Sequence, residues 1–258
     1  MERILAARRQ ALAQAKQVTP AAKLEERAAV ASPVRDFAAA LSRDALNIIA
    51  ELKKASPARG VLREHYNPAV LAPTLEQAGA AALSVLTEPE FFQGALEELQ
   101  VVRQVSALPV LRKDFLFDPY QLYEARAAGA DGFLLIAAIL NGPELRQLIT
   151  LGKQLGMAAL VEVHTAEELE RALEAGAEIV GVNNRNLKTL DVRVETSLRL
   201  IEDIPERCVA VSESGLGSHD ELGRLRAAGF DAFLIGGFLM QAPQPAQALR
   251  RLLGGDAH

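Results

Sequence analysis

From Leu46 onward the chain alternates short apolar runs with longer amphipathic stretches. The runs fall at residues 47–52, 81–86, 109–113, 132–136, 159–163, 179–183, 209–213 and 232–235, and each is rich in Val, Ile, Leu or Ala. Runs this short, without helical periodicity, read as strands buried on both faces. The stretches between them open with helix-start signals. Asn67-Pro68, Asp118-Pro119, Asn141-Gly-Pro143, Thr165-Ala-Glu-Glu168 and Ser218-His-Asp-Glu221 each put a capping side chain ahead of a helix. Thr165 with Glu168 and Ser218 with Glu221 have capping-box spacing. Four near-identical segments close helices with Gly79, Gly129, Gly176 and Gly229, a residue suited to the left-handed C-cap.

Strict β–α alternation implies a parallel sheet with crossover helices. Eight units close naturally into an α/β fold of the (β/α)₈ TIM-barrel class, and 258 residues suit one such barrel. The alternative is an open doubly wound sheet, which carries a glycine-rich loop after its first strand. Here that strand ends in Glu51-Leu-Lys53 and no GxGxxG follows, which favours the barrel. Residues 1–45 are left as an N-terminal helical extension packed on a catalytic barrel of residues 46–258. Arg3, Arg8, Arg9 and Lys16 against Glu2 give residues 1–17 a faint likeness to a transit peptide, but acids return at Glu25 and Glu26. An amphipathic helix of the domain is the better reading.

Composition narrows the function. The net charge of −5 argues against a nucleic-acid partner. The longest apolar runs, such as 133–140, are far short of the ~20 residues that span a bilayer, so no membrane role is expected. A single cysteine, Cys208, excludes an internal disulfide and fits a reducing cytoplasm. The four histidines form no metal-ligand cluster, so no metal is expected; His65, His164, His219 and His258 read as surface or capping residues.

The chemistry lies where strands end in charge. Side chains two apart share a face. Ile49, Glu51 and Lys53 therefore align, as do Leu111 with Lys113, Leu160 with Glu162, and Val211 with Glu213. If those faces point inward, odd-numbered strands carry charge to the C-terminal rim, where barrels of this kind do chemistry. Lysines and glutamates crowded there shift one another's pKa values and can divide acid and base roles. Asn183-Asn-Arg185 after the sixth strand adds donors and a fork-shaped cation suited to a carboxylate. Ser212-Glu-Ser-Gly-Leu-Gly217 and Ile235-Gly-Gly237 place glycines after the seventh and eighth strands, the recurrent barrel phosphate site.

These segments together resemble the indole-3-glycerol phosphate synthase family. The matching pieces are Ile49-Ala-Glu-Leu-Lys-Lys-Ala-Ser-Pro57, Leu86-Thr-Glu88 with Phe91-Phe-Gln-Gly94, Leu111-Arg-Lys-Asp-Phe115, Leu160-Val-Glu-Val-His164, Gly181-Val-Asn-Asn-Arg-Asn-Leu187, Ser212-Glu-Ser-Gly215 and Leu234-Ile-Gly236. They occur in family order. The resemblance implies conversion of 1-(2-carboxyphenylamino)-1-deoxyribulose 5-phosphate to indole-3-glycerol phosphate, carbon dioxide and water, without cofactor, by a monomer. It implies Lys113 as the acid of ring closure, if neighbours or burial lower its pKa, with Glu162 as the catalytic glutamate. Glu51 and Lys53 follow as a second acid–base pair. Asn183 and Glu213 orient substrate and lysines, Ser214, Gly215, Gly236 and Gly237 hold phosphate, and Ser56 and Arg185 take the anthranilate carboxylate. Phe91, Phe92, Phe115, Leu134 and Leu187 are expected around the aromatic ring. Two positions depart from the family pattern: Ala58 replaces a frequent serine, and Gly237 a frequent glutamate or serine. A sugar-phosphate isomerase and a noncatalytic phosphate-binding subunit are the competing readings. Retention of both Lys113 and Glu162 disfavours them.

Overall fold

A computed structural model describes residues 1–187 and 189–255; His258 lies outside the described residues. Eight parallel strands close into a barrel: β1 (Asn47–Leu52), β2 (Ala82–Leu86), β3 (Val110–Lys113), β4 (Gly132–Ile136), β5 (Ala158–Val163), β6 (Ile179–Asn183), β7 (Val209–Glu213) and β8 (Ala232–Ile235). Each pairs with its neighbours in sequence, and β8 returns to β1 through Asn47↔Ala232. The expected strands differ from these by at most a residue at an end.

Alternation sorts the side chains into two cores. Ile49, Leu111, Leu134, Leu160, Ile179, Val211 and Leu234 fill the barrel interior. Ile48, Ala50, Leu52, Leu83, Val85, Phe133, Leu135, Val161 and Val180 point outward into the layer shared with the helices. Each such Val, Leu, Ile or Phe side chain, fully buried, contributes about 1.5–3 kcal/mol by leaving water. The outer ring contains α4 (Pro68–Gln77), α5 (Leu96–Val105), α6 (Pro119–Ala127), α7 (Gly142–Gln154), α8 (Ala166–Glu174), α9 (Glu195–Leu200), α10 (His219–Ala227), α11 (Gly237–Gln241) and α12 (Pro245–Leu252). Gly79, Gly129, Gly176 and Gly229 all have positive φ, as their C-cap positions require.

The caps correct one expectation. Reciprocal boxes form at Asp118 with Gln121 and at Asn141 with Glu144. Thr165 and Ser218 do cap α8 and α10, but the first-turn acids Glu168 and Glu221 reach one residue further back. Glu168 accepts the His164 N–H at 2.7 Å, and Glu221 accepts that of Gly217 at 3.1 Å. Each acid thereby fixes the end of the strand–helix loop rather than the cap residue itself.

Three helices precede β1: α1 (Glu2–Val18), α2 (Ala21–Ala29) and α3 (Phe37–Leu41). Phe37 and Leu41 join the interior cluster, and Phe37 sits against Gly132 at the start of β4, closing the N-terminal end. Leu12 and Leu24 pack with Tyr120, whose hydroxyl lies 2.9 Å from the carbonyls of both Ala15 and Thr19 and donates between them. Arg8 bonds Asp114 at 2.9 Å and Lys16 bonds Asp118 at 2.7 Å, so α1 is pinned to the segment directly after β3.

Candidate active site

The inward parity of β1, β3, β5 and β7 delivers Glu51, Lys113, Glu162 and Glu213 to the C-terminal rim, and Lys53 follows just past β1. All five line one cavity of about 820 Å³. Ser56, Asn183, Arg185, Ser214, Gly215, Gly236 and Gly237 line the same cavity. Phe92, Phe115, Leu134 and Leu187 give it an apolar wall. Phe91 does not line it; its ring lies 5.9 Å from the Arg3 guanidinium, because adjacent residues of the turn face apart.

Lys113 Nζ donates to Glu213 Oε2 at 2.6 Å and contacts Glu162 Oε2 at 3.4 Å. Lys53 donates to Glu51 Oε2. The three carboxylates are almost wholly buried, while both ammoniums reach the cavity. Burial alone would lower the Lys113 pKa, but Glu213, Glu162 and Glu51 outweigh it and hold the pKa well above the usual lysine value. The expected lowering is thus reversed, for three anions surround one cation. Burial raises Glu213 to about 7, helped by Glu162 and Glu51 and opposed by Lys113. Burial would raise Glu51 too, yet Lys53 and then Lys113 bring it below the ordinary carboxylate value. Environment alone therefore separates two neighbouring glutamates into one firmly ionised and one that takes up a proton near neutrality.

Two glycines make this packing possible. A Cβ at Gly181 would overlap Glu213 Oε1, and one at Gly236 would overlap the Glu51 carboxylate. Gly236 therefore has a demonstrable role beside the acid–base cluster, whereas Gly237 faces open space. Ser214 and Gly215 both have positive φ, 68° and 83°, which turns their backbone sharply at the rim. Asn184, one of the donors expected after the sixth strand, supports that turn: its Nδ2 donates to Ser212 Oγ and the Ser214 carbonyl, and its Oδ1 accepts from Ser197. The Asn183 side chain accepts the Arg185 N–H at 2.9 Å. Arg185 donates to the Leu190 carbonyl at 3.0 Å while remaining on the cavity wall.

Other contributors carried only weak signals. Met1 and Ile4 bring α1 to the cavity. Arg59, on a hairpin of Ala55–Ser56 with Gly60–Val61, donates to Gln241 at 2.7 Å and ties that hairpin to α11. Glu88 accepts the N–H groups of Glu90, Phe91 and Phe92, folding the turn that presents Phe92. His164 is not a surface residue: its side chain is 12% exposed and lies 3.5 Å from Glu162. It stands two residues beyond Glu162, a same-face spacing that marks it in the sequence. His219 bonds the Leu252 carbonyl at 2.9 Å. Cys208 is buried and its thiol is pushed up by that burial, as suits a small core residue. Among the described residues, no group of three His, Cys, Asp or Glu is placed to hold a metal ion.

A closed parallel barrel with lysines and glutamates gathered around a cavity at its C-terminal rim has the build of a (β/α)₈-barrel enzyme. Comparison with known proteins narrows the class. The family described as indole-3-glycerol phosphate synthase matches residues 1–252, and the chain belongs to that family. Proteins named indole-3-glycerol phosphate synthase from Koribacter versatilis (strain Ellin345) and Albidiferax ferrireducens (strain ATCC BAA-621 / DSM 15236 / T118) are 47% and 45% identical to it. They align over 98% of this chain and 98% and 97% of their own. Among solved structures, 3-hexulose-6-phosphate synthase from Salmonella typhimurium superposes with a TM-score of 0.64 at 13% identity. It covers 81% of this chain and 97% of that one, a likeness of fold alone.

Proposed function

We propose that the chain closes the pyrrole ring of 1-(2-carboxyphenylamino)-1-deoxyribulose 5-phosphate, releasing carbon dioxide and water to give indole-3-glycerol phosphate. The carrying observation is Lys113, held between Glu213 and Glu162 in a cavity walled by phenylalanines and rimmed by two glycine turns. Lys113 protonates the ketone oxygen as the ring carbon bearing the carboxylate attacks the ketone carbon. Loss of carbon dioxide then restores the aromatic ring. Departure of the resulting hydroxyl as water takes one proton from an acid, and a base removes one from the adjacent carbon.

Glu162 serves as base, with Glu51 and Lys53 as the second acid–base pair. Lys113 is firmly protonated at rest, so its acidity must be released on binding. Proton uptake by Glu213 removes one of the charges that hold the lysine proton. In this reading Ser214, Gly215, Gly236 and Gly237 take the phosphate through backbone N–H groups. Ser56 and Arg185 take the anthranilate carboxylate, and Asn183 orients the substrate. The mechanism routes no step through a cofactor. Residues 1–45 act as an extension on the catalytic barrel of 46–258, and the working unit is a cytoplasmic monomer without a nucleic-acid or membrane partner.

The test is turnover of the aryl-amino ribulose phosphate followed by indole fluorescence. The chain contains no tryptophan, so product emission stands on a low background. Emission growing with time is expected; folded protein that yields none overturns the reaction.

A further inference from the structure

A buried titratable group that the mechanism does not use lies between β5 and α8. His164 Nδ1 lies 3.2 Å from Glu168 Oε2, and its Nε2 lies 3.5 Å from Glu162 Oε1. Nε2 is buried without a hydrogen-bond partner of ordinary length. Glu162 thus faces a basic nitrogen with each oxygen, because its Oε2 faces Lys113. Lys113 lines the cavity and His164 does not, so the histidine meets Glu162 away from substrate.

We propose that His164 is a positioning residue: by bridging Glu168 and Glu162 it fixes the orientation of the Glu162 carboxylate beside Lys113. The proposal rests on the catalytic role given to Glu162 above. The geometry selects the imidazolium. Both ring nitrogens face carboxylate oxygens, and a neutral ring would aim a lone pair at one of them. The surrounding charges agree. Glu162 and Glu213 face it from the barrel and Glu168 from α8, while Arg171 on α8 acts on Glu168. Burial alone would favour the neutral ring, but Glu168 and then Glu162 outweigh it and raise the His164 pKa above the ordinary value. Glu168 is itself held by the backbone N–H of His164, so the bridge is anchored to the first turn of α8.

The experiment has a substrate-free arm and a kinetic arm. Imidazole Cε1–H resonances are followed against pH by NMR in wild type, Glu168→Gln and His164→Gln, the last identifying the His164 signal by its loss. The His164 midpoint is expected above the ordinary 6.5 and moves back toward it in Glu168→Gln. A midpoint at or below 6.5, or one indifferent to Glu168, overturns the bridge. In turnover, His164→Gln keeps a donor but cannot carry charge. Its kcat is expected to fall about 10-fold, a fraction of what a general base is worth, with KM nearly unchanged and the alkaline limb of kcat/KM flattened. His164→Ala should lose more, so that Gln is a partial rescue. Unchanged kcat and pH profile in folded His164→Gln overturns the positioning role. Absence of turnover in wild type would instead refute the assigned reaction, and the titration would still decide the bridge.

Discussion

β3 carries two cations in succession, and they face opposite ways. Arg112 points outward, where its side chain is 2% exposed. Nε donates to Thr87 Oγ1, Nη1 to the Gln121 carbonyl and Nη2 to Asp114, so every nitrogen has an acceptor. Asp114 is equally well served, by Arg8, Thr87 and the Phe115 N–H as well as Arg112. Lys113 points inward to a cluster that is not satisfied. Three carboxylates compete for it, and Glu213 Oε1 has no hydrogen-bond partner. Both clusters are buried and charged, so burial of charge does not distinguish a reactive centre. What distinguishes it is an excess of one sign, which leaves protonation states close in energy. The outer cluster is a fastener that ties α1 to the strand end carrying Lys113.

Breaking the inner cluster should change chemistry most. Lys113→Met is expected to lower kcat/KM by about 1,000-fold, within the range for loss of a general acid, as read by indole fluorescence. Gly236→Ala comes next: the new methyl displaces the Glu51 carboxylate, and misplacement by about 1 Å costs roughly 100-fold in kcat. Ser56→Ala should raise KM about 10-fold with kcat nearly unchanged, the worth of one hydrogen bond to a charged group. The smallest effect is on stability. The Glu213 pKa is raised from 4.5 to about 7 in the folded protein, so the folded state binds the extra proton between those values. Its stabilising share is complete below about 4.5 and is lost as pH rises through about 7. Glu213→Gln removes that slope, and its Tm relative to wild type should climb by a few degrees from pH 5 to pH 8.

The barrel was legible because alternation is a local signal. Ile49, Glu51 and Lys53 declare a shared face, and Asp118-Pro119 and Asn141-Gly-Pro143 punctuate the helices that follow. Gathering of Lys113, Glu162 and Glu213 into one cavity follows from closure of the sheet, so parity sufficed to bring them together. The direction of the Lys113 shift was not legible. It depends on how many carboxylates converge after closure, which no single strand records. Gly181 and Gly236 showed as glycines, but their duty toward Glu213 and Glu51 is a cross-strand fact. His164 was read as a surface or capping residue although its spacing to Glu162 was plain, since its partner Glu168 lies across a helix start. Arg8 reaches Asp114 across 106 residues, a separation that no motif encodes.

The most direct measurement sets Arg112→Met beside Lys113→Met and records kcat and the urea midpoint of each. Breaking the buried outer pair should cost Arg112→Met about 3–5 kcal/mol of stability and leave the kcat of the folded fraction within a few-fold of wild type. Lys113→Met should behave in the opposite way, with turnover lost and the midpoint at or above that of wild type, because Glu213 can then hold its proton. Equal loss of turnover in the two variants, with no separation in stability, would contradict the division of β3 into a fastener and an acid.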